Sequence, residues 1–456
     1  MAVSVVLFTR DLRLRDNPPL REALAAADAV VPLFVRDDAI SAAGYAVPNR
    51  RAFLADCLAD LDRQLRERGS RLVVRTGDVV EQVCRVAHEA GAAEVHMSAD
   101  VSAYAARREE RLAAALEPAG RRLRVHDRVI TAVAPGEITP AGKDHMAVFT
   151  PYFRRWEKDH QRDVLGAPRR VPGAGEVRGE AIPTRAAVRG VSPGVPAGGE
   201  TAGRKRFADW RRSGMDTYEE QHDDLAGDAT SRLSPHLHFG TLSPVELVAR
   251  AREKGGPGAG AFVRQLAWRD FHHQVLCARP RSGHAEYRTH QDRWRTEEEA
   301  PEEVAAWKRG ATGFPVIDAA LRQLRHEGWM HNRGRLLAGS FLTKTLYIDW
   351  RVGARHFLDL LVDGDMANNQ MNWQWVAGTG TDTRPNRVLN PVTQAKKYDP
   401  QGDYVRRWVP ELAQLPGRTV HEPWKLDDQR RAALDYPERI VDLAAASGRF
   451  LRARGK

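Results

Sequence analysis

Cysteine is scarce in this chain. Three residues, Cys57, Cys84 and Cys277, stand far apart over 456 positions, and none forms a Cys-x-x-Cys pair. That spacing argues against a disulfide framework or a structural zinc site and fits a reducing compartment. Long apolar runs are also missing, since no stretch reaches the ~18 residues that a membrane span needs. The amino terminus, MAVSVVLFTRDLRLRDN, carries an apolar stretch with no basic region before it. It reads as a first strand and not as a secretory signal, so the expected location is the cytoplasm, with no membrane contact. A third absence follows that strand. A conventional dinucleotide-binding fold would place a glycine fingerprint there, but FTRDLRLRDN stands instead. Aromatic residues are unevenly spread: all 11 tryptophans follow residue 155.

What is present begins with charge. Lys plus Arg number 70 against 60 Asp plus Glu, a formal net charge of +10. This favours a polyanionic partner, although an Arg-, Ala- and Gly-rich chain is often basic without one. Over residues 1–130, short β-branched runs (VSVVLF, AVVPLFV, RLVVRTG, EVHMSA, LRVHD) alternate with amphipathic helical stretches. That alternation predicts an α/β domain with a doubly wound parallel sheet. Residues 131–205 read as a long interdomain connector, Gly- and Pro-rich from about 166 to 203. Residues 206–456 show helical periodicity throughout and read as all-α. Within them, KGGPGAG (254–260) reads as a flexible connection.

Four clusters carry chemistry. Tyr218 is followed by ATSRLSPHLHFG (229–240), a loop of hydroxyls and one guanidinium before a helix, suited to a pyrophosphate but also explicable as a helix cap. In RQLAWRDFHHQVL (264–276), Gln265, Trp268 and Arg269 fall at helical spacing; two polar groups beside an indole suit a stacked base, while core packing explains the Trp alone. GWMHNRGRLLAGSFLTK (328–344) gathers Asn332, Arg333 and Arg335 at a helix start. DGDMANNQMNWQWVAGTGTDTRPN (363–386) sets two acids, three Asn and two Trp within thirteen residues. That run is too polar for a core helix and too aromatic for an exposed loop, and a flavin site explains both features. His236-x-His238 and His272-His273 lack a third ligand at suitable spacing, so no metal is expected.

In order, spacing and identity, FTRDLRLRDNPPL, TSRLSPHLHFG, WRDF, TGFPVIDAALRQL, GWMHNR, DGDMANNQMNWQW and GDYVRRWVPEL together resemble the DNA photolyase/cryptochrome family, in its class I bacterial branch. The resemblance runs almost end to end. It implies an all-α FAD-binding domain behind the α/β domain. It implies FAD held by Tyr218, Thr230, Ser231, Arg232, Leu233 and Ser234, with Arg269, Asn332, Arg335, Asp363 and Asp365, and with Asn369 facing the redox-active nitrogen. Trp268 and Trp375 match the aromatics that hold a flipped-out lesion, and Arg333 a backbone-phosphate contact. Trp373, Trp350 and Trp294 match a chain of tryptophans that feeds electrons inward from the surface. The implied activity is light-driven repair of cyclobutane pyrimidine dimers in damaged DNA, by electron transfer from photoexcited reduced FAD. The implied protein is a monomer with no obligate protein partner. An antenna chromophore is expected near Phe34, Arg51 (or its neighbour Arg50) and Asp100; 8-hydroxy-5-deazaflavin is favoured over methenyltetrahydrofolate.

Three departures bear on the lesion. Gln265 stands where cyclobutane-dimer enzymes of this branch usually carry Glu, and a Gln there is familiar from (6-4) photolyases. Leu336 replaces a frequent Met. The loop TDTRPNRVLNP is about one residue short. Against a (6-4) photolyase, Asn332 and Leu336 occupy the helix where that branch carries paired histidines. A cryptochrome blue-light receptor would share the fold and flavin; the short end after the helical domain disfavours it. A flavin oxidoreductase with a diffusible substrate is the third reading, and the basic balance and the Trp268/Trp375 pair argue against it.

Overall fold

The computed structural model describes residues 1–159, 161–290 and 292–455. Five short runs form one parallel sheet: β1 (Val3–Phe8), β2 (Ala29–Asp37), β3 (Val73–Gly77), β4 (Glu94–Ser98) and β5 (Arg122–His126), in the order β3-β2-β1-β4-β5. Val5 pairs with Val31 on one side and Val95 on the other. Alternation along β1 sends Val3, Val5 and Leu7 to one face, against the helices Val79–Glu89 and Ala103–Leu116. Val6 and Phe8 go to the other face, against Pro18–Ala26 and Pro48–Arg66. Both faces are covered, as β-branched strands with apolar residues at successive positions require.

The strand order reverses between β1 and β4. In an open α/β sheet a ligand commonly sits in that crevice, beyond the carboxyl ends of the strands. Here FTRDLRLRDN turns there and docks on TSRLSPHLHFG. Leu12 N donates to Phe239 O at 3.2 Å. Arg13, fully buried, donates to the carbonyls of Asp16, Val129 and Gly240 at 2.8–3.2 Å. Gly240 has φ +65°, and a Cβ on it would overlap the Arg10 carbonyl, so that closing glycine is dictated by contact between the two motifs.

Residues 131–156 pack with the helical part. Met146, Phe149, Tyr152 and Trp156 share a core with Trp210, Leu233, Leu266 and Phe271, and Phe149–Trp156 is a helix. The GGPGAG stretch, expected to be a flexible connection, enters the helix Gly256–Ala278. Pro257 suits the first turn, and a Cβ on Gly258 would overlap the Met215 carbonyl. The run 363–375 also departs from expectation: Met366–Ala377 is a largely buried helix. Its polar groups are tolerated because neighbours satisfy them. Gln374 Nε2 donates to Ser282 O at 2.7 Å and Gln370 Nε2 to Gly283 O at 2.8 Å.

Candidate functional site

The helices Asn332–Ser340, Trp350–Leu360 and Met366–Ala377 surround a cavity of about 70 Å³, lined in part by Asn332, Arg335, Leu336, Asp363, Asn369 and Trp373. Arg335 donates to Asp363 Oδ2 at 2.8 Å. The other Asp363 oxygen is buried without a partner among the described residues, and so is the Thr230 hydroxyl. A buried unpaired acceptor is costly, and a ligand N–H would satisfy it. Asn369 Nδ2 donates to Ala354 O at 3.1 Å, which fixes the amide at the cavity wall. These groups fit a flavin: an acid and amides for its ring edge, a guanidinium for its anionic portion.

Asp365 caps the helix Met366–Ala377, accepting from Asn368 N at 2.8 Å. It also pairs with Arg10, which reaches across from the end of β1 and holds Asp100 at 3.1 Å. Burial alone would raise the Asp365 carboxyl. Arg10, with His273 and Arg269 nearby, overrides burial and holds it well below the usual carboxylate range. A second tie crosses the same interface: Arg50 donates to the carbonyls of Leu358 and Leu361 at 2.6 and 2.8 Å, and Asn49 to that of Leu360 at 2.6 Å. Those carbonyls end the helix that leads into Asp363, and a helix end leaves such groups unsatisfied.

The loop expected to hold the pyrophosphate lies against the approach to Asn332. Arg232 (φ +53°) pairs with Asp228 at 2.5 Å and Glu327 at 3.1 Å, and its guanidinium stacks 4.3 Å from the Trp329 ring. Trp329 Nε1 donates to Ser234 Oγ at 3.1 Å. Leu233 and Tyr218 are buried. Ser231 gives its carbonyl to Arg206 at 3.0 Å. Arg269 binds the carbonyls of Ile130 and Leu237. None of Tyr218, residues 230–234 or Arg269 lines the cavity itself.

On the candidate lesion side, Gln265 is exposed and Trp268, three residues on, is part-exposed. Trp375 is part-exposed beneath the Arg387 guanidinium, 5.7 Å away. Lys344, pushed down to about 8 by burial, donates to the carbonyls of Pro385 and Arg387 at 2.8 and 2.9 Å and ties that loop to the core. Arg333 pairs with Asp223 at 2.5 Å and lies 4.2 Å from the Tyr398 ring.

Trp373, Trp350 and Trp294 belong to one packed core, the first two buried and Trp294 at its edge. Trp373 meets Phe357 at 4.9 Å and Trp307 at 6.1 Å. Trp294 meets Tyr347 at 5.1 Å and donates to Glu286 at 2.9 Å. At the sheet's carboxyl edge, Phe34 is buried, Arg51 exposed and Asp100 engaged by Arg10. Tyr45 OH, Arg50 Nη2, His238 Nδ1, Asp37 Oδ2 and two nitrogens of Arg108 are buried there without hydrogen-bond partners among the described residues. Arg108 influences Asp11, Asp37 and Asp100 alike. Sequence reading missed Arg10, Asn49, Tyr45 and Arg108. For Arg10 the available signal was the unusual FTRDLRLRDN after the first strand.

An acid, amides and a guanidinium gathered around a cavity walled by Trp373 suit a flavin-binding class of protein, and the chain belongs to the DNA photolyase family. Residues 4–172 match the family described as DNA photolyase, and residues 262–456 match the FAD binding domain of DNA photolyase. The chain is 64% identical over 456 residues to the deoxyribodipyrimidine photo-lyase of Streptomyces griseus, covering 100% of both. Its structure is similar to a class III photolyase from Agrobacterium tumefaciens (TM-score 0.91, 31% identity, 100% of this chain and 97% of that one). It is also similar to an archaeal photolyase from Sulfolobus tokodaii described with two FAD molecules (TM-score 0.86, 30% identity, 99% of each). Likeness to a class III structure means that the fold does not discriminate between branches.

Proposed function

We propose that this chain is a deoxyribodipyrimidine photo-lyase that repairs cyclobutane pyrimidine dimers in DNA, in the cytoplasm and as a monomer. The carrying observation is the cavity itself: Asp363 presents an unpaired acceptor, Asn369 an anchored amide, and Trp373 an aromatic wall continuous with a tryptophan core. Bound FAD supplies light-driven one-electron chemistry. The protein's own groups do the rest. Asp363 and Arg335 orient the cofactor, and Asn369 presents its amide to the ring. Trp373, Trp350 and Trp294 carry electrons inward from the surface. Trp268 and Trp375 receive a lesion flipped out of the duplex, a step that costs least where stacking is already damaged. Arg333 and the net positive charge attract the backbone, so binding weakens with salt.

Gln265 makes the lesion class the point to test. Illuminated protein with reductant should convert oligonucleotides carrying a cyclobutane dimer to unmodified DNA and leave (6-4) product untouched. Repair of the (6-4) product alone would reassign the substrate, and repair of neither would end the enzyme reading.

The unpaired groups Tyr45, Arg108, Asp37 and His238, with Phe34, Arg51 and Asp100 nearby, support an antenna pocket at the sheet's carboxyl edge. A planar, polar 8-hydroxy-5-deazaflavin suits it better than methenyltetrahydrofolate. Chromatography of the chromophores released from purified protein tests this: FAD alone, or a folate, would refute it.

A further inference from the structure

We propose that Phe149 is the positioning residue for Trp268, fixing the one indole face that a lesion can use; this rests on the reading of Trp268 as lesion-facing. The Phe149 and Trp268 rings lie face to face, with centroids 3.7 Å apart and planes 8° apart. The other rings near Trp268 meet it at an angle: Phe271 at 5.6 Å and 89°, His272 at 5.6 Å and 43°. Both stand on the same helix as Trp268, one turn further on, and bracket the indole without covering it. Phe149 comes from a separate element and backs one whole face. Phe149 is buried and Trp268 part-exposed, so the stack opens to one side, where a base can add to it.

Phe149 is itself held firmly. Phe153 stacks on it at 5.6 Å, and the Arg264 guanidinium lies 4.9 Å from both rings. Its segment is riveted to the Trp268 helix on either side. Gln274 exchanges two hydrogen bonds with the Met146 backbone, at 3.0 and 2.8 Å. Asp270 accepts from Ala132 N, Val133 N and Trp156 Nε1 at 2.9–3.1 Å. The backing ring therefore cannot drift from the indole. Without it, Trp268 would regain side-chain rotamers that must be frozen again on binding.

The test is dark binding of full-length, FAD-loaded protein to a duplex carrying one cyclobutane dimer and to the same duplex undamaged. Phe149→Ala should weaken dimer binding by about 2- to 10-fold, with undamaged-DNA affinity and flavin photoreduction unchanged. Phe149→Tyr should restore the preference. Phe153→Ala thins the same aromatic group without uncovering Trp268 and should keep it. In a Trp268→Ala background, Phe149→Ala should add nothing. If Phe149→Ala does not fold, Phe149→Leu keeps apolar volume without a ring and is read the same way. The proposal is overturned if Phe149→Ala keeps full preference, if Phe149→Ala and Phe153→Ala lower it alike, or if the Trp268 and Phe149 effects add. Full preference in Trp268→Ala alone would instead overturn the lesion-facing reading, a separate result.

Discussion

Replacing Arg10 with methionine removes one cation from between two buried carboxylates. The side chains of Asp365 and Asp100 are 5% and 8% exposed, and Arg10 is 22% exposed. Solvent screening therefore rescues little, and this is not a surface pair. Leaving a buried partner uncompensated costs about 3–5 kcal/mol; the two acids share one cation, so their losses should not simply add. The pH dependence has a definite sign. In the native protein Asp365 sits below its ordinary value, so it contributes stability above about pH 4 and loses it only as acid protonates the folded form. In Arg10→Met, burial is opposed chiefly by Arg269 at Asp365 and by Arg108 at Asp100, and both carboxyls rise. The deficit is then largest at pH 7.5 and shrinks toward pH 5, where the folded protein can take up protons. Urea unfolding of the FAD-loaded protein at pH 7.5 and 5.5, followed by flavin release and circular dichroism, measures this. A deficit below about 1 kcal/mol at pH 7.5, the scale of an exposed pair, would refute the reasoning, as would a deficit that grows on acidification.

Two further outcomes follow from the same site. Trp373→Phe should lose photoreduction of bound flavin under blue light with external reductant, yet repair dimers after chemical reduction; photoreduction equal to the native protein's would sink the tryptophan-chain assignment. Burial pushes His238 and His273 down to about 3, and His236, His272, His331 and His356 down to about 4. These folded values lie below the unfolded one, so the unfolded chain binds protons first. Stability should fall from pH 6.5 toward 4, by up to about 1.4 kcal/mol per pH unit for each histidine. A urea midpoint that stays flat from pH 7.5 to 5 would contradict their burial.

The sheet was legible because strands buried on both faces, as β1 and β2 are, write β-branched runs, and five short runs separated by helical periodicity leave few arrangements even though the edge strand β5 is largely exposed. The flavin motifs were legible because Asp363, Asp365 and Asn369 sit close together in sequence. The buried character of Met366–Ala377 was not, since Gln370 and Gln374 look solvent-facing until Gly283 and Ser282 supply carbonyls from about 90 residues away. Gly258 misled for a related reason: a glycine chosen to admit the Met215 carbonyl leaves the same trace as one chosen for flexibility. Phe149 was hidden in a stretch read as connector, because face-to-face stacking on Trp268 has no local period to announce it.

Asn49 and Arg50 hold the last carbonyls of a helix more than 300 positions downstream in the chain, immediately before Asp363. Genetics on this protein will therefore not respect its domain border. Loss-of-function substitutions at these two positions should score as cofactor defects although they lie in the sheet domain. A chimera that imports its first 130 residues from a relative should assemble a working cavity only if the donor carries side chains able to reach those same three carbonyls.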